Sequence, residues 1–173
     1  MAGDGREIER LVREEDWEGA ERLLREKLER EPGNHWLWCR LSLAFYERRR
    51  YAEALECSEK ALSLAPRCPL ALWEHAGDLD MLGREAEAAA IWRGLLRRGV
   101  RRIAYGECGE GRAWAESLLN DCRFRMARAA FEKGDSPAAA RWIRLHLRHR
   151  KRGLPSCHSR AEALRLQRRI AEG

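Results

Sequence analysis

Trp17, Ala20, Leu24, Leu28 and Pro32 return 34 residues later as Tyr51, Ala54, Ser58, Leu62 and Pro66. A weaker third copy follows as Glu85, Ala88, Trp92, Leu96 and Val100. A fixed period of this size marks supersecondary units that bury their apolar faces against their neighbours, not one globular core. Stacks of such units present extended surfaces that bind other molecules. The period therefore predicts recognition rather than catalysis, and it leaves the partner unspecified.

The second unit, His35 to Cys68, is the clearest. Its first half carries Trp38, Leu41, Ser42 and Phe45 at i, i+3, i+4 and i+7, the spacing of one helix face. A turn is expected at Arg48–Arg50. A second helix then presents Ala54, Ser58, Ala61 and Leu62 and stops before Pro66, which a helix interior does not tolerate. The first unit keeps the second helix, Asp16 to Glu31, and a reduced first helix with Ile8, Leu11 and Val12. The third, Pro69 to about Arg102, keeps Leu72, Ala76, Leu79, Gly83, Ala88, Trp92 and Leu96. A fourth appears only after a slip, because Ala76, Gly83, Ala88 and Leu96 find equivalents in Ala127, Gly134, Ala139 and Leu147, each 51 residues on. The extra 17 residues are placed at about 103–119. Ser136 before Pro137 reads as a helix cap followed by proline at the first helical position. Ser159 and Glu162 have capping-box spacing, and Ala163, Leu166 and Ile170 form one apolar face behind them.

The pattern of large, small, aromatic, alanine and proline positions resembles the tetratricopeptide repeat, a helix–turn–helix unit of 34 residues. The resemblance covers residues 16–100 and 120–150 and is absent over 103–119. It implies an all-α fold: a right-handed helical-repeat solenoid of about four such units plus a C-terminal capping helix. As one domain, 1–173, its parts would be units 1–34, 35–68 and 69–102, the insertion 103–119, a unit 120–153 and a cap helix 156–173.

In this family the first helices of successive units line a concave groove. The resemblance places Trp36, Cys39, Arg40, Leu43, Tyr46 and Glu47 there from the second unit. From the third come Leu70, Trp73, Glu74, Gly77, Asp80 and Met81, and from the fourth Phe124, Arg128 and Phe131. Large aromatics on a solvent-facing wall call for something that covers them, either a partner or the chain's own insertion or C-terminal helix. The expected ligand is a protein or peptide whose apolar or helical segment is buried there, with Arg40, Glu47, Glu74 and Asp80 setting its register. The family's clamp for acidic chaperone tails is not matched. Gly5, Glu9, Arg40, Leu70 and Glu74 occupy its places, and only Arg40 is cationic, whereas a terminal carboxylate needs several convergent donors.

Charge narrows the alternatives. Residues 1–35 hold 7 basic and 11 acidic side chains, whereas residues 141–173 hold 10 and 2. This gradient suggests a basic C-terminal face for an acidic or nucleic-acid partner, or head-to-tail self-assembly into a homo-oligomer. The run Arg148, His149, Arg150, Lys151 and Arg152, with Arg165, Arg168 and Arg169 behind it, carries the nucleic-acid reading. No recognised nucleic-acid motif lies beside the run, and the basic end of a helix accounts for it better. No apolar stretch approaches the roughly 18 residues needed to span a bilayer, and Met1–Leu11 has no apolar signal core. A cytoplasmic, membrane-free protein is expected.

Other chemistry is poorly supported. Six cysteines include no CxxC pair and read as reduced buried thiols. Tyr105–Arg112 is glycine-rich ahead of a helix, but Glu107 and Glu110 would repel phosphate and no Lys-Ser/Thr pair follows. Those two glutamates could instead meet a basic peptide. His146, His149, Cys157 and His158 match no zinc spacing. No catalytic set, metal site or cofactor is expected.

Overall fold

The period is written into the backbone. Glu15, Arg49 and Gly83 are spaced by 34 residues, Gly134 lies 51 further on, and all four adopt positive φ (57°, 60°, 77° and 75°). Each ends one helix and turns the chain into the next. The residue after it donates its N–H five residues back, as in Arg50 N to Phe45 O and Asp135 N to Ala130 O, both 2.9 Å. This is the Schellman closure, which satisfies carbonyls at a helix end. Glycine adopts the conformation freely at 83 and 134, whereas Glu15 and Arg49 adopt it against the preference of a side chain.

The computed structural model describes residues 2–150 and 155–172, with side chains from residue 5 onward. Among these residues there are nine helices and no strand. They fall into two compact units, residues 1–84 and 85–173.

The first unit holds α1 (Ala2–Arg13), α2 (Trp17–Arg30), α3 (His35–Glu47), α4 (Tyr51–Leu64) and α5 (Pro69–Met81). Asp16 caps α2 by accepting from Gly19 N at 2.9 Å, and Asn34 caps α3 by accepting from Trp36 N at 3.2 Å. Pro69 opens α5, where a missing N–H costs nothing. Ile8, Leu24, Leu28, Leu37, Leu41 and Phe45 form the core with Ala20 and Ala54. Trp38 stays half-buried because its indole Nε1 donates to Pro32 O at 2.9 Å, tying α3 to the loop before it. Glu21 on α2 gathers Arg25, Arg48 and Arg50, which clasps α2 to the α3–α4 turn. Arg25 and Arg50 also lie over the Phe45 ring, at 5.5 and 4.5 Å from its centroid.

The second unit holds α6 (Glu85–Tyr105), α7 (Arg112–Glu132), α8 (Ser136–His149) and α9 (Arg160–Glu172). Its core joins Phe124 and Ala127 of α7 to Ala139 and Ile143 of α8 and to Ala163, Leu166 and Ile170 of α9. Asp135, not Ser136, caps α8: its Oδ1 accepts from Ala138 N at 3.0 Å, and Ser136 is already helical. Ser159 accepts from Glu162 N at 3.1 Å at the start of α9, as its spacing predicts.

The four alanines that recur with the period, Ala20, Ala54, Ala88 and Ala139, are all completely buried. They mark interior positions of the repeat. The slip begins where α6 is interrupted at Gly99 (φ 72°, ψ 167°), so that residues 85–98 match the length of α8. The extra chain is spent on a short helical stretch to Tyr105, the loop 106–111 and about two added turns at the start of α7.

Candidate functional site

On α3, Trp36, Arg40, Leu43 and Glu47 lie at i, i+4, i+7 and i+11, which a 3.6-residue period puts on one face. At its edge, Tyr46 reaches α5 and leans on it at Gly77, where an added Cβ would meet its ring at an ordinary contact distance of 3.6 Å. Tyr46 also packs edge-on against Tyr51, with ring centroids 5.4 Å apart. Arg40 is held in place: its guanidinium lies 5.2 Å from the Trp36 centroid and reaches Glu9 of α1 at 2.9 Å. A cleft of about 270 Å³ opens beside Trp36 and is bounded by Gly5, Lys27 and Glu31.

The residues expected to line the groove separate into two sets. Trp36, Arg40, Leu43, Tyr46, Trp73 and Asp80 are half-buried, and Glu47 and Met81 are exposed. These keep surface that a partner can cover. Cys39, Leu70 and Glu74 are buried and belong to the interior beneath the face. From the fourth unit, Arg128 and Phe131 are half-buried, with Arg128 3.6 Å from Glu132. Phe124 is buried: the His158 ring stacks on it at 3.9 Å and His146 meets it edge-on at 5.4 Å. Phe124 is thus a core residue covered by the C-terminal segment, not part of an open wall.

Beneath the face lies a polar link that the helix-face pattern does not reveal. Ser42 Oγ donates to Asp78 Oδ2 at 2.9 Å, joining α3 to α5 in the interior. Asp78 is fully buried, and burial pushes its carboxyl from 3.8 up to about 7, against the opposing pull of Ser58 and Ser42. The signal was present in the period, because Asp78 stands 34 residues after Ala44 at a core position of the repeat. Near it, Ser58 Oγ lies 3.2 Å from His75 Nδ1, and burial raises the Cys57 thiol to about 12.

The remaining sequence candidates resolve into structural parts. In the glycine-rich loop a Cβ at 109 would lie 2.4 Å from Ala104 O, so this glycine serves a close backbone approach. Glu107 and Glu110 are exposed. His146 Nδ1 meets Asn120 O at 2.9 Å, and burial lowers the pKa of both His146 and His158, helped for His158 by nearby Arg125. Ser117 donates to Pro155 O, while Asp121 receives Ser156 Oγ at 2.6 Å and Cys157 N at 3.2 Å. The N-terminal half of α7, with Ser117 in its added turns and Asp121 just after them, therefore anchors the segment that leads into α9. In the basic run, Arg148 and His149 are exposed and Arg150 donates to His158 O at 2.5 Å. Lys151 and Arg152 lie outside the described residues. Arg169 lies over Phe131 at 4.9 Å, and Arg165 and Arg168 are exposed.

Paired helices, a repeated positive-φ turn and a repeated buried alanine define an all-α helical-repeat protein, a class that serves as a protein-interaction scaffold. Residues 35–68 match the tetratricopeptide repeat family, so the chain carries a repeat of that family. Solved structures with the same fold include a double mutant of MamA, at 16% identity and a TM-score of 0.60 over 84% of this chain and 72% of that one. Two structures of MamA itself align over 95% of this chain, both at 16% identity. One has a TM-score of 0.56 over 92% of its length, the other 0.52 over 86%. No curated protein sequence matches the chain significantly. No helix among the described residues is long and apolar enough to cross a membrane.

Proposed function

We propose that the protein is a non-catalytic scaffold that binds a protein or peptide on the α3–α5 face. The observation that carries this reading is the pair of half-buried tryptophans, Trp36 and Trp73, on successive first helices that also carry the exposed Glu47 and Met81. Aromatic anchors of this kind supply most of the energy of a typical interface once water is excluded around them. Arg40 stays between Trp36 and Glu9, so little side-chain entropy is lost when a ligand contacts it. An apolar or helical segment would cover Trp36, Leu43, Tyr46, Trp73 and Met81. Glu47 and Asp80 would select its polar side chains.

The test compares proteins captured by the wild type and by a Trp36→Ala/Trp73→Ala variant of matched thermal stability. The reading predicts that the variant loses a defined subset of the captured proteins. An unchanged set would place binding elsewhere.

A further inference from the structure

The second unit carries a groove on a different set of helices. Its floor is α7, and its walls are the first segment of α6 and the beginning of α8. The opening is about 580 Å³. Each helix contributes one stripe. Ala89, Arg93 and Arg97 follow at i+4 spacing on α6, and Met126, Ala129 and Ala130 lie on one face of α7.

Sign and shape together specify the occupant. Arg93, Arg97, Lys133 and Arg141 stand exposed on the rim, facing a single carboxylate, Asp135. That carboxylate already accepts the Ala138 N–H as the α8 cap. The rim therefore has an excess of positive charge. The floor is apolar, with Ala89, Met126 and Ala129 buried and Ala130 half-buried, Trp142 half-buried at one side and Arg141 held 5.2 Å from its ring centroid. Alanine floors admit a close-packed helix, and a cationic rim around an apolar floor fits a helix with a leucine face flanked by carboxylates. A nucleic-acid backbone would satisfy the rim but leave the floor empty. From this geometry we infer that the groove between α6, α7 and α8 docks an acidic amphipathic helix, at a site that shares no residue with the α3–α5 face.

The test uses a fluorescein-labelled amphipathic peptide of about 14 residues, with leucines at i, i+3, i+4 and i+7 and glutamates elsewhere. Fluorescence anisotropy is measured with the full chain at about 50 mM salt. The expected result is saturable binding that weakens as salt rises. Replacing the glutamates with lysines should weaken it at least about tenfold, as should Arg93→Glu/Arg97→Glu or Trp142→Ala in the protein. The Trp36→Ala/Trp73→Ala variant should bind the peptide like the wild type, which separates this site from the first. Because Arg93 and Arg97 are exposed, circular dichroism of their variant should match the wild type. Three results would overturn the inference: no binding of the acidic peptide at low salt, equal binding by the Arg93→Glu/Arg97→Glu variant, or tighter binding of a single-stranded RNA oligonucleotide lost through the same substitutions.

Discussion

Arg49 and Gly83 occupy the same turn of successive repeats, and only one of them is suited to it. A non-glycine residue in the left-handed region costs roughly 1–2 kcal/mol, partly offset by the extra entropy glycine loses on folding. Arg49 is exposed, so Arg49→Gly should raise stability by roughly 0.5–1 kcal/mol in urea unfolding, and Gly134→Ala should lower it by a similar amount. The other exceptional residue is Asp78. Its folded carboxyl titrates near 7 against an ordinary value of 3.8, so between these values the folded state holds a proton that the unfolded state has released. Stability from this group is greatest below about pH 4, falls by up to about 1.4 kcal/mol per pH unit as pH rises toward 7, and is flat above. Asp78→Asn keeps an acceptor for Ser42 without the buried charge. Urea midpoints should show it more stable than the wild type at pH 8 and nearly equal to it at pH 4. A variant less stable at pH 8 would mean that the ionised carboxylate is needed.

At the scale of elements, the slip in the period gives α7 its added turns, and Ser117 in those turns and Asp121 just after them hold the C-terminal segment. Asp121 receives both Ser156 and the Cys157 N–H, so Asp121→Ala leaves these donors without their acceptor. The expected cost is roughly 1.5–3 kcal/mol, with faster hydrogen exchange at residues 156–163 and little change in α8. Exchange that rises equally throughout the unit would show that the anchor is not local. The paired helices and the alanine contacts were legible because burial follows the 34-residue period directly. Phe124 was misread for a physical reason. The repeat frame places it on the groove side, at the position of Trp73, but cannot show that His158 stacks on that same face. The Asp135 cap was misread because Ser136 and Pro137 together imitate a helix start one residue late.

Across the whole molecule the two units should respond to pH in opposite directions. Asp78 makes the first unit more stable as pH falls below 7. His146 and His158 are held neutral by burial in the second, so the stability they contribute is present above about pH 6.5 and is lost as the unfolded state takes up protons below it. Hydrogen exchange corrected for intrinsic rates should show α3–α5 better protected at pH 5.5 than at pH 8, and α7–α9 less so, if about one pH unit below the histidine value is sampled. A shift of the same sign in both would contradict these assignments. The fold class was legible at this scale because a period is a property of the whole chain. The rim of cations between α6 and α8 was not, since its members come from three helices that no single-helix pattern brings together.

We propose the α3–α5 face as the recognition surface. Photo-crosslinking tests it most directly, with a benzophenone amino acid placed at Glu47 on that face or at Glu59, exposed on α4. Both versions are expressed in cells and irradiated. The interaction reading predicts discrete covalent adducts from position 47, abolished by Trp36→Ala/Trp73→Ala, and none from position 59. Adducts from position 59 alone, or adducts from position 47 that survive the double substitution, would contradict it.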